Sequence, residues 1–171
     1  MTETARPALH HVAFACRDID ETHHFYADVL GLTLIHTEVT PWDQGFFRHA
    51  FYDLGDGSAL AFFDLHDAGE PTPIRTAISE DLGLPLWVNH VALRVDEQRK
   101  VELVARLDAA GIEPLVEVDH DWCLSTYYQD PNGIMVELCL DTPGVPVEPE
   151  RAMRDLHAVP EPAARAAGSE V

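Results

Sequence analysis

Two short stretches decide the fold: His10-His11-Val12-Ala13-Phe14 and Asn89-His90-Val91-Ala92-Leu93. Each reads as a strand, and each runs into an aspartate, Asp18 or Asp96, of the kind that caps a helix N-terminus. Helical stretches follow over residues 19–30 and 97–110, with Ile19, Phe25, Tyr26, Val29 and Leu30 on one and Val101, Val104, Leu107 and Ala110 on the other. Each helix stops at a glycine, Gly31 or Gly111. Three strand-like runs come next in both copies, at 32–40, 46–54 and 58–65, then at 113–118, 124–129 and 134–140. The turn Gly55-Asp56-Gly57 closes a hairpin in the first copy, and Asp130-Pro131-Asn132-Gly133 does so in the second. The chain is therefore an internal repeat, and each half is βαβββ. The predicted fold class is α+β, built of two βαβββ modules.

The modules are expected at 8–66 and 87–141. A connector at 67–86 carries Pro71, Pro73 and Pro85 and has room for one helical turn. A Pro/Ala-rich tail, 142–171, is expected to be mostly extended, with a helical turn near 151–156.

The 171 residues suffice for a core without staples. Lys and Arg number 11 against 30 Asp and Glu, a net charge of −19 that repels phosphate backbones and anionic lipid. No nucleic-acid or membrane partner is expected. No apolar run reaches the roughly 18 residues of a membrane span, and Met1-Thr2-Glu3-Thr4-Ala5-Arg6 begins no signal-peptide core. Cys16, Cys123 and Cys139 have no C-x-x-C spacing and read as reduced thiols. A cytoplasmic location is the expectation.

Strand parity singles out the chemistry. If Val12 and Phe14 pack under the first helix, His11, Ala13 and Ala15 occupy the opposite, free face. Likewise Val91, Leu93 and Val95 turn in, leaving His90, Ala92 and Arg94 free. In the last strand, Val136, Leu138 and Leu140 turn in, so Glu137 and Cys139 share the face of His90. Should the free faces curl together, His11, His90 and Glu137 converge as a facial two-histidine, one-carboxylate metal set with open positions. Ungapped alignment of Gly57-Ser58-Ala59-Leu60-Ala61 with Gly133-Ile134-Met135-Val136-Glu137 puts Ala61 where a fourth ligand would stand. Asp64 has the other parity and would need a bulge to join, leaving either Asp64 or a water as a possible fourth ligand. His23, His24, His36, His66 and His157 are assigned to exposed polar positions, and Cys123 and Cys139 to the cavity lining.

The repeated His-Val-Ala, the run from Phe25-Tyr26 to Leu30-Gly31-Leu32, the Asp130–Gly133 turn and Val136-Glu137-Leu138 resemble the vicinal-oxygen-chelate superfamily. That group includes glyoxalase I, bleomycin-resistance proteins and type I extradiol dioxygenases. The resemblance spans about residues 8–141 and implies two βαβββ modules forming an open barrel-like metal-binding cavity around one divalent metal, commonly in a homodimer. Glyoxalase I uses four protein ligands, whereas extradiol dioxygenases use two histidines and a glutamate, which is the pattern of His11, His90 and Glu137. Extradiol enzymes also carry a tyrosine ten residues before the metal glutamate, here Tyr127, and a histidine upstream of it, here His120. They commonly place a catalytic histidine just before the strand that here holds Leu60-Ala61-Phe62. This chain has Gly57-Ser58-Ala59 there, which leaves His49 on the preceding strand as a substitute. What the resemblance implies is an Fe(II) extradiol-type dioxygenase acting on a catechol-like aromatic substrate and O2. Tyr127 would then bond a substrate oxygen, and His120 or His49 would move protons. Phe46, Phe47, Trp42, Trp87 and Trp122 would shape the pocket. The alternatives are a glyoxalase-I-like lyase or isomerase with Zn(II), Ni(II), Co(II) or Mn(II), and a drug-sequestering resistance protein.

Overall fold

The computed structural model describes residues 8–160; residues 1–7 and the tail end, 161–171, lie outside it. Two separate four-stranded sheets form, one per repeat. The first has β1 (His11–Ala15), β4 (Ala59–His66), β3 (Gly45–Asp53) and β2 (Thr33–Trp42), in that spatial order. The second repeats it with β5 (His90–Val95), β8 (Met135–Asp141), β7 (Cys123–Gln129) and β6 (Val116–Asp119). In both, the first strand pairs parallel with the last, and the other pairings are antiparallel. The registers match across the repeat: Ala13 lies beside Ala61, as Ala92 lies beside Glu137. The sheets are open and curved, with no closed barrel.

The helices follow their capping signals. The Asp18 side chain accepts from the Asp20 and Glu21 amides to start α1 (Ile19–His23). The Asp96 side chain accepts from the Arg99 amide to start α3 (Glu97–Ala109). The single helix expected over 19–30 is corrected. After α1 the backbone widens into a π-helical turn, His24–Val29, in which the Leu30 amide reaches the Phe25 carbonyl at 2.9 Å. A short helix, α2 (Ile78–Asp81), interrupts the connector, and α4 (Pro149–Asp155) forms where the tail was expected to make a turn. None of the described helices is long and apolar enough to cross a membrane.

One apolar core joins the repeats. Phe25, Tyr26, Leu30 and Phe62 from the first pack with Leu103, Leu107, Val136 and Leu138 from the second. Val12, Phe14, Val91 and Leu93 lean on this core from their strands, as parity requires. Two arginines of α3 complete the join by capping carbonyls at the end of the first helix: Arg99 to Leu30 and Arg106 to Asp28, each at 2.7 Å. The modules thus meet through their helices, and their sheets share no ladder.

The turn between β7 and β8 is the main polar staple. The Asp130 carboxylate accepts from the Asn132 and Ile134 amides at 2.8 and 2.7 Å, the Tyr26 hydroxyl at 3.0 Å and the Asn132 side-chain amide at 2.9 Å. Asn132 Oδ1 accepts from the Arg17 amide at 2.8 Å, and the Thr76 hydroxyl donates to the Asn132 carbonyl at 2.7 Å. Gly133 has φ +81°, and a Cβ there would lie 2.6 Å from Ala77 Cβ, so both conformation and space require glycine.

Burial lifts the Asp130 carboxyl above its ordinary 3.8, although its hydrogen bonds pull the other way. A carboxyl with a folded value above its unfolded one binds a proton on folding. Its contribution to stability is present below the unfolded value and is lost as pH rises through the folded one. Urea unfolding across acidic pH is therefore expected to show wild type gaining on Asp130→Asn as pH falls towards 3.8. A pH-independent difference between the two would contradict this.

Candidate metal centre

Parity delivers His90 and Glu137 to one face of the second sheet. His90 opens β5, and Glu137 sits on the adjacent β8, two register pairs further along and so on the same face. Their Nε2 and Oε2 atoms are 3.1 Å apart. His90 Nδ1 lies 2.9 Å from the Trp87 carbonyl. A carbonyl only accepts, so Nδ1 carries the hydrogen, and in the neutral ring Nε2 presents its lone pair to the carboxylate. A ring nitrogen and a carboxylate oxygen thus face each other at a spacing that two ligands of one ion also take. Two ligands bound at right angles, each about 2.1 Å from an ion, are about 3 Å apart. Fixing a ligand histidine through its other nitrogen to a backbone carbonyl is the usual support for a metal site. Glu137 is buried and has no Lys or Arg ion pair among the described residues. The Ser125 hydroxyl donates to its Oε1. These donors fit a divalent metal.

Tyr127 lies directly across from Glu137 on β7. Its hydroxyl is 3.0 Å from His120 Nε2, and its ring stands 6.0 Å from that of His90. Burial raises the Tyr127 hydroxyl above its ordinary 10; a hydrogen bond with Ser125 opposes the rise, and the Glu137 charge adds to it. His120 is held in the turn before β7 by its amide bond to the Cys123 carbonyl, at 2.9 Å. Tyr127, His120, His90 and Glu137 thus form one connected group.

His11 does not join that group within the chain. Its Nδ1 lies 2.8 Å from His10 Nδ1, and its ring meets His49 and Phe51 with centroids 5.8 and 5.2 Å away. Among the described residues, His11, His90 and Glu137 do not bring ligand atoms within 4.8 Å of one another. Within one chain His11 stands apart from His90 and Glu137 because the modules join through their helices, so the two free faces are not folded onto each other. His49 shares the His11 face, stacks on Phe63 at 3.8 Å and leaves its buried Nε2 without a partner. Burial first, then the neighbouring His11, lowers its pKa from 6.5.

Other expectations shift as well. Asp64 stays on the helix side, buried between Arg48 at 2.6 Å and His66 at 2.8 Å, with no bulge to turn it round. It lines a polar cavity of about 530 Å³ with Arg17, His23 and Tyr52. His66 is therefore an ion-pair partner and not a free surface residue. His23 is partly buried, with Nδ1 3.2 Å from the Tyr52 hydroxyl. Phe46 stacks on His66 and so leaves the pocket-wall set. Ser125 and the Trp87 carbonyl were missed in the sequence. Ser125 had the parity of Tyr127, whereas no sequence signal marks a backbone carbonyl.

The glyoxalase/bleomycin resistance protein/dioxygenase superfamily model matches residues 8–138. A curated relative named glyoxylase I 4, from Arabidopsis thaliana, is 30% identical over 147 residues, covering 83% of this chain and 75% of that protein. A glyoxalase family protein from Enterococcus faecalis superposes with a TM-score of 0.57 at 24% identity, over 77% of this chain and 95% of that one. A mutant of the fosfomycin resistance protein FosX from Listeria monocytogenes, solved with Mn(II) and dihydroxypropylphosphonic acid, gives 0.55 at 19% identity, over 85% and 97%. These matches span glyoxalases and resistance proteins and do not single out ring-cleaving dioxygenases. By sequence match and fold, the chain belongs to the glyoxalase/bleomycin resistance protein/dioxygenase superfamily.

Proposed function

We propose that the chain is a metal-dependent enzyme that binds a small substrate through two adjacent oxygens, with His90 and Glu137 as metal ligands and His11 of a second copy as the third. The facing lone pairs of His90 Nε2 and Glu137 Oε2, 3.1 Å apart, carry this reading. His11 lies on the exposed free face of β1, open to another molecule. Exposed Trp42, Trp87 and Trp122 add apolar surface for such a partner.

A divalent ion held by His90 and Glu137 would supply Lewis acidity. The residues of the chain do the rest. Tyr127 donates its hydroxyl to a substrate oxygen, and His120 Nε2, 3.0 Å behind it, takes or returns the proton. His49, whose Nε2 has no partner among the described residues, is a second base that enters with His11 from the second copy. Ala61 and Ala92 keep the sheet faces low beside the substrate. The relative named glyoxylase I 4 favours a lyase or isomerase reaction. A second reading, an Fe(II) extradiol-type dioxygenase, is favoured by Ala61 at the fourth ligand place and by the Tyr127–His120 pair.

Purification without oxygen, metal analysis and Fe(II) reconstitution separate the two. Oxygen uptake with a ring-opened catechol product supports the dioxygenase. Tight Zn(II), Ni(II), Co(II) or Mn(II) with turnover of an α-keto thiol adduct and no oxygen uptake supports the lyase. Either way His90→Ala is expected to reduce retained metal to background. Unchanged metal content in that variant would remove His90 from the set. Tyr127→Phe is expected to keep its metal while kcat falls about 10²–10⁴-fold. An unaltered kcat would assign Tyr127 to packing alone.

A further inference from the structure

On the same face as Glu137, towards the interior, stand two thiols. Cys139 lies two residues along β8 from Glu137, and Cys123 begins the adjacent β7. Both are free and buried. One ligand atom each from Cys123, Glu137 and Cys139 lie within 4.8 Å of one another, the only such trio among the described residues. Ser125, opposite Cys139 in register, touches both parts of the group: its hydroxyl donates to Glu137 Oε1 and lies 3.6 Å from Cys123 Sγ. The two oxygens of Glu137 therefore serve different neighbours. Oε2 meets His90, while Oε1 meets the serine beside the thiols.

We propose that Cys123, Cys139 and Glu137 form a second metal berth, selective for a soft divalent ion of the Zn(II) or Cd(II) class. Two thiolates bound to one tetrahedral ion at about 2.3 Å each are about 3.8 Å apart, inside the 4.8 Å within which the ligand atoms of this trio lie. Thiolate sulfur prefers such ions to Mg(II), Ca(II) or Mn(II). On binding, each thiol releases its proton to solvent and forms a metal–sulfur bond, with no change in oxidation state. The carboxylate is the third donor.

The berth lies wholly in the second module and does not use His11. It shares Glu137 with the centre proposed above and rests on that reading only to this extent. A soft ion here competes for the carboxylate, so such ions are expected to inhibit the enzyme by drawing Glu137 inward.

The test is titration of the full chain with Co(II) and with Cd(II) under anaerobic conditions, followed by ultraviolet absorption. Thiolate-to-metal charge-transfer absorption is expected, saturating at one ion per chain. It is expected to persist in His11→Ala and in Cys16→Ser, and to be lost in the Cys123→Ser, Cys139→Ser double variant. Absence of that absorption in wild type overturns the proposal. So does undiminished Cd(II) binding by a double variant whose circular dichroism matches wild type. Failure of the catalytic reading shows separately, as Mn(II) binding unaffected by His11→Ala.

Discussion

Glu137→Gln is expected to leave the protein without retained divalent metal and with activity lower by about 10³-fold or more. The amide keeps the shape but not the charge. His90 then faces a neutral group, and the centre between His90 and Glu137 loses its carboxylate ligand. Losing the several kcal/mol that a metal contributes to a charged transition state corresponds to this fall. The fold is expected to survive, because a buried carboxylate without a fixed cationic partner costs stability in the metal-free chain. Metal-free Glu137→Gln should melt no lower than metal-free wild type. Metal analysis, steady-state kinetics and thermal unfolding check the three parts. Full metal content in this variant would show that the ion is held elsewhere.

The largest effect on stability is expected at Asn132→Ala. Asn132 is fully buried and ties three segments together. Its side chain accepts from the Arg17 amide, reaches Thr22 at 3.2 Å and donates to Asp130 at 2.9 Å. Truncation removes the partner of the Arg17 amide, at about 1–3 kcal/mol, and the side-chain bonds to Thr22 and Asp130, at about 1 kcal/mol each, while the Thr22 hydroxyl keeps the Asp18 carbonyl at 2.6 Å. A total of about 3–4 kcal/mol is expected, a drop in Tm of roughly 10 °C for a chain of this size. Calorimetric unfolding measures it. A loss below about 1 kcal/mol would show that the apolar core alone holds the repeats together.

What the sequence revealed and what it hid divide along physical lines. The strand faces were legible because side chains alternate strictly, so Val12 and Val91 could be told from His11 and His90 by parity alone. The placement of Glu137 beside His90 followed from the same rule, and Ala61 was identified through the repeat. The π-helical turn at His24–Val29 was not legible, because its apolar stripe matches that of an ordinary helix. Nor was the packing of one module on the other. Local pattern fixes which face of a sheet is apolar, but the relative placement of two modules depends on long-range contacts such as Arg106 to the Asp28 carbonyl and Tyr26 to Asp130. For that reason the convergence of His11 with His90 could not be settled from strand parity. The turn Asp130-Pro131-Asn132-Gly133 was read correctly as a turn, but its role as a staple between repeats depends on partners more than 100 residues away.

The most direct test of the metal centre is an anomalous-difference map from crystals of the full chain grown with Mn(II). A peak is expected about 2.0–2.3 Å from both His90 Nε2 and Glu137 Oε2, with His11 of a second molecule completing the set. A map with no peak between His90 and Glu137 at saturating Mn(II), or with His11 remote from the ion in every copy, would contradict the account.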